Sequence, residues 1–107
     1  MSRSDSQRVD DILEIAQSLA ILVAKGEDYF RAEIINQWAV ERALQNIGEA
    51  CTKISDEFKS VHSAVDWKSI VGMRTYLAHA YHRIDENIVW GVASLDVPQL
   101  VQHLKSI

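Results

Sequence analysis

Only one proline and four glycines punctuate a chain of 107 residues. So few turn formers cannot join many short strands, and the sequence instead predicts a handful of long helices. The apolar pattern agrees. Val9, Ile12, Leu13, Ala16, Leu19, Ala20 and Val23 recur at helical spacing, predicting a first helix from about Asp5 to Ala24. Ser4 with Gln7 reads as its capping box, and Lys25-Gly26 as its close. The longest helix is predicted over roughly Tyr29 to Lys59, where Val40, Leu44, Ile47, Cys51, Ile54 and Phe58 form one stripe at 100° per residue. Ala39, Ala43 and Ala50 widen the stripe past half the circumference, so this helix is buried on more than one side, by the fold or by a second subunit. Ile34, Trp38, Glu41, Gln45, Gly48, Glu49 and Thr52 occupy the remaining arc. Asp66, Asp85 and the Asp96-to-Pro98 stretch start three further helices. The expected fold is all-α, an antiparallel bundle of about five helices in one domain spanning residues 1–107.

Bulk properties narrow the function classes. Hydrophobic residues make up 48% and charged residues 24%, the balance of a folded globular chain. No apolar run reaches the ~18 residues of a membrane span, the N-terminus lacks an apolar signal core, and lone Cys51 has no partner for an internal disulfide. A cytoplasmic protein with no membrane partner is expected. The net charge of −4 argues against broad adhesion to nucleic acid. The charge is uneven, however. Residues 1–57 hold eleven acids and six bases, whereas residues 67–84 hold no acid, and Lys68, Arg74 and Arg83 are joined there by His79 and His82.

That window contains Arg74-Thr-Tyr-Leu-Ala-His79-Ala-Tyr81. Metal-free RNA cleavage needs a base for the ribose 2′-hydroxyl proton, an acid for the leaving 5′-oxygen and a fixed cation for charge building on the phosphate. Histidine suits the first two tasks. Arginine suits the third, since its guanidinium binds phosphate bidentately and stays charged. No metal or other cofactor is required. On a straight helix His79 lies about 140° round from Arg74, so a joint site needs the helix to loosen near His79 or a second subunit to complete it. The alternative is structural: Arg74 pairs with a buried acid, and His79 ends the helix.

The R-x4-H-x-Y spacing of Arg74, His79 and Tyr81 resembles the HepT-like toxins of the HEPN superfamily. Ala43-Leu-Gln-Asn-Ile-Gly-Glu-Ala50 is similar to that family's second-helix motif. Trp67, Ile70, Gly72 and Met73 lead into the arginine, and Ile84-Asp-Glu-Asn-Ile-Val-Trp90 and Leu95-Asp-Val-Pro-Gln-Leu100 follow in the family's order. The resemblance covers essentially the whole chain. It implies a dimeric HEPN-like bundle acting as the toxin of a toxin-antitoxin pair, a metal-independent endoribonuclease that cleaves cellular RNA, transfer RNA among its targets. The implied antitoxin is a minimal nucleotidyltransferase that attaches AMP to the motif tyrosine. Carried over by position, Arg74 and His79 are catalytic, Tyr81 is a site residue and modification target, and Glu49 supports the cleft. Thr75 stands as a supporting residue where the superfamily usually carries asparagine, aspartate or histidine; it keeps a hydroxyl but no amide or carboxylate.

Other groupings compete. His79 and His82 have a metal-compatible spacing but no further evident ligands, apart from His62 or Asp85. Glu41, Gln45 and Glu49 read as a solvated stripe before a carboxylate dyad. Trp38, Trp67 and Trp90 read as core or interface anchors before base-stacking platforms. A second functional class is a non-catalytic helical partner that binds a nucleotide or scaffolds a nucleotidyltransferase.

Overall fold

A computed structural model describes residues 3–80 and 82–107. Helix α1 (Asp5–Val23) begins with a reciprocal cap: Gln7 N–H donates to Ser4 Oγ at 3.1 Å, and Ser4 N–H donates to Gln7 Oε1 at 2.8 Å. It ends where Gly26 adopts φ +96°, a backbone state that a side chain would strain, and the chain turns into α2 (Glu27–Ala32).

The long helix expected from Tyr29 to Lys59 is broken twice, giving α2, α3 (Ile34–Lys53) and α4 (Asp56–Val61). At Glu33 the backbone is extended, and Asn36 Nδ2 donates to the Tyr29 carbonyl at 2.6 Å across the break. At Ile54 it is extended again. There the Ser55 N–H and hydroxyl donate to the two oxygens of Asp5 on α1 at 2.9 and 2.6 Å, while Ser55 Oγ accepts from Phe58 N–H. The same two bonds hold the Asp5 carboxyl below the usual carboxylate range. The apolar period runs through this second break because Ile54 stays buried and Phe58 packs against the core.

Helix α5 (Trp67–His79) starts at the Asp66 cap, with Ser69 N–H on its carboxylate at 3.2 Å. Asp85 likewise caps α6 (Glu86–Gly91). A separate helix opening at Asp96 does not form. Instead α6 continues through a π-turn (Val92–Asp96) into α7 (Val97–Lys105). The turn falls just ahead of Pro98, which has no N–H for an i→i−4 bond, so the widened turn carries the helix past the proline.

Helix α3 packs against both α1 and α5, and α7 with the π-turn closes over α1. Ile12, Phe30, Val40, Ile47, Cys51, Leu77 and Val89 are fully or almost fully enclosed between them. Burial pushes the Cys51 thiol up to about 12, so it is a packing residue and not a nucleophile. Trp67 is buried, with its indole N–H on the His62 carbonyl at 3.1 Å, and Trp90 rests on Phe30. Trp38 is 60% exposed, alongside exposed Ile34 and Ile35. Among the described residues there is no strand, and no helix is long and apolar enough to cross a membrane. The fold is an all-α helical bundle.

Candidate active site

Helices α3 and α5 approach each other closely at Gly48. A β-carbon there would overlap Arg74 Cβ and stand 3.1 Å from Arg74 Cγ and 3.2 Å from the Ile70 carbonyl oxygen. The missing side chain therefore lets α5 seat Arg74 directly over α3. From that seat the Arg74 Nη2 reaches Glu49 Oε2 at 2.9 Å, while Lys53 Nζ lies 3.3 Å from Glu49 Oε1. Lys53 and then Arg74 hold the Glu49 carboxyl below its ordinary range.

This pair forms one side of an open cleft of about 380 Å³ lined by Arg42, Gln45, Asn46, Glu49, Arg74 and Ala78. Two guanidiniums and one carboxylate give the lining a local charge of +1 in a chain of net charge −4. The acid that meets Arg74 is not buried. The two side chains are 40% and 42% exposed, so the pair fixes the arginine's direction while leaving part of its hydrogen-bonding edge open to a ligand.

The other motif residues lie elsewhere. Helix α5 stays regular up to His79 and ends there, as the structural alternative has it, and the exposed His79 ring is absent from the cleft lining. Five residues on along the helix, His79 lies about 140° round from Arg74. Thr75 is exposed, and its hydroxyl donates to the Val71 carbonyl at 3.3 Å, a bond within its own helix. Tyr81 lies outside the described residues. Sequence reasoning passed over Arg42, Asn46 and Tyr76. The first two share a helical face with Glu49 at spacings of seven and three residues, a signal that was present but silent until α5 marked that face as a cleft. The Tyr76 hydroxyl accepts from Asp85 N–H at 2.8 Å and ties down the segment that follows the motif.

Glu41 belongs to neither a solvated stripe nor a dyad with Glu49. It faces Glu86 of α6, whose Oε2 is fully buried and has no donor while both groups are ionised. A proton on Glu41 supplies that donor, and burial followed by the Glu86 contact raises Glu41 from the ordinary 4.5 to about 7. A raised carboxyl stabilises the fold fully below its unfolded value and loses that contribution as pH rises through 7. Glu41→Gln should therefore raise the melting temperature at pH 8 and leave it nearly unchanged at pH 4. After allowance for solvent exposure the gain is on the order of 1 kcal/mol. Equal effects at both pH values in thermal melts would refute the shared proton.

Comparison with known proteins identifies the family of the chain. The model of the family described as "Ribonuclease HepT-like" matches residues 12–107. The protein named "Probable ribonuclease HepT" of Thermococcus cleftensis is 34% identical over 94% of this chain and 92% of its own. A protein of Methanocaldococcus jannaschii named as a "Putative RNase" is 38% identical over 91% of this chain and 90% of its own. No solved structure matches. An all-α bundle that seats a partly exposed arginine in a polar cleft, matched along nearly its whole length by this family, belongs to the HepT-like ribonucleases, a family of RNA-cleaving enzymes.

Proposed function

We propose that this chain is a metal-independent endoribonuclease acting as the toxin of a toxin-antitoxin pair in the cytoplasm. The observation that carries the reading is the Arg74–Glu49 pair at 2.9 Å, which aims a permanently charged guanidinium into the cleft. In this reaction His79 takes the 2′-hydroxyl proton of an RNA residue, and the 2′-oxygen attacks the adjacent phosphorus. The bond from phosphorus to the 5′-oxygen breaks, that oxygen leaves as a hydroxyl on receiving the proton held by the His79 imidazolium, directly or through water, and a 2′,3′-cyclic phosphate remains. Arg74 stabilises the charge on the phosphoryl oxygens as it builds.

A homodimer brings His79 to Arg74. Since the two diverge on an unbroken α5, the site is completed across protomers. Ile34 and Trp38 share a face of α3 with Gln45 and Glu49, so the exposed apolar patch runs in line with the cleft. Burying that patch against a second copy leaves the cleft at the edge of the interface. Regulation follows the resemblance: a partner nucleotidyltransferase attaches AMP to Tyr81, and the added phosphate competes for Arg74 while the adenosine fills the cleft.

The test is cleavage of labelled RNA, transfer RNA included, by the pure protein with and without EDTA. Cleavage that survives EDTA and leaves cyclic-phosphate and 5′-hydroxyl ends is expected from a preparation sedimenting as a two-chain species. Treatment with the cognate nucleotidyltransferase and ATP should add one AMP at Tyr81 by peptide mass and stop cleavage. Loss of activity with EDTA, or undiminished cutting by fully modified protein, would overturn the respective parts.

A further inference from the structure

The reaction as proposed leaves one cation of the cleft without a task. Arg74 is partly neutralised by Glu49, which also holds Lys53. Arg42 is an exposed guanidinium on the same cleft lining, and among the described residues it makes no ion pair or hydrogen bond. Arg42 and Glu49 stand two turns apart on α3, about 10 Å along its axis. Arg42 and Arg74 line the same cleft, and a nucleoside monophosphate has only one phosphate to share between them. An RNA strand offers one to each, because it carries a phosphate on every residue.

The neighbouring groove is electrically balanced. Arg42, Asn46 and Glu49 also border a groove of about 660 Å³ between α3 and α1. There Arg8 and Lys53 join Arg42, but Asp11 and Glu14 join Glu49, so the acids cancel the bases. Of the two, the cleft shared by Arg42 and Arg74 keeps the net positive lining.

Resting on the ribonuclease reading, we propose that Arg42 is a substrate-binding residue that takes a phosphate flanking the one held by Arg74, so that the preferred ligand is an RNA strand and not a mononucleotide. The contact adds a charge-assisted hydrogen bond at a position that carries no base information, which predicts affinity without sequence preference.

Binding of a fluorescein-labelled, fully 2′-O-methylated oligoribonucleotide isolates this contact from catalysis, because the 2′-oxygen has no proton to give. Followed by anisotropy against salt, Arg42→Ala and Arg42→Gln should each weaken binding about tenfold. Each should also lower the slope of log affinity against log salt by about 0.7, the share of one single-strand phosphate. Arg42→Lys should keep the slope, and Arg31→Ala, which removes a paired arginine bordering no part of this cleft, should change neither quantity. Wild-type affinity and slope in both neutral variants would overturn the assignment. The parent reading fails separately: wild-type protein that binds the methylated strand with these slopes but never cuts its all-ribose counterpart sinks the ribonuclease and keeps Arg42. A wild-type protein that binds no RNA sinks both.

Discussion

Arg74→Ala and His79→Ala are each expected to abolish RNA cleavage while leaving the protein folded. General acid–base catalysis contributes about a hundred- to ten-thousand-fold, and one preorganised charge-stabilising donor about a hundred- to thousand-fold. The cost to stability is small by comparison. The Arg74–Glu49 pair is roughly 40% exposed on both sides, where ion pairs contribute about 0–1 kcal/mol, and Lys53 remains to hold Glu49. His79 is exposed at the end of α5. Mixing the two inactive variants tests the shared site directly. With the site split across protomers, a mixed dimer holds one site with both residues intact and one with neither. Random exchange should restore roughly a quarter of the wild-type rate, since half the dimers are mixed and each keeps one of two sites. No recovery in a mixture shown by mass to contain mixed dimers would place both residues in one chain's site and overturn the split arrangement.

Gly48→Ala should lower stability, although helix propensity alone favours alanine by about 1 kcal/mol. The new methyl group would overlap Arg74 Cβ and crowd the Ile70 carbonyl. Neither is the free end of a flexible chain, so relief requires α5 to move off α3. Overpacking of this kind typically costs about 1–3 kcal/mol, which offsets the propensity gain and lowers the melting temperature by roughly 4–8 °C per net kcal/mol. Because the displaced element carries Arg74, cleavage should fall further than the melting temperature implies, with Glu49 left beside a misplaced partner. A melting temperature raised by Gly48→Ala, with activity intact, would show that the two helices do not cross this closely.

The helical character, the core stripe and the caps were legible from local chemistry. Ser4 and Gln7, Asp66, and Asp85 act within one turn of themselves, and Val40, Leu44, Ile47, Cys51 and Ile54 declare their common face by spacing alone. The breaks at Glu33 and Ile54 were not legible. The second depends on Asp5, fifty residues away, accepting two bonds from Ser55, a partner that no local window contains. The π-turn hid for a different reason: a proline after an aspartate reads as the start of a new helix, and only packing of the continuous segment against α1 favours widening the old one.

By itself, then, the sequence determined an all-helical chain, its apolar faces, and the identity and spacing of Arg74, His79 and Tyr81, because periodicity and residue chemistry are properties of neighbouring positions. The tertiary structure alone decided what Arg74 faces. The close crossing at Gly48 brings Glu49 and Arg42 of α3 to an arginine more than twenty residues further along, and the same crossing leaves His79 outside the cleft. Which charges share a cleft depends on how two helices cross, and a crossing is set by contacts that neither helix specifies without the other.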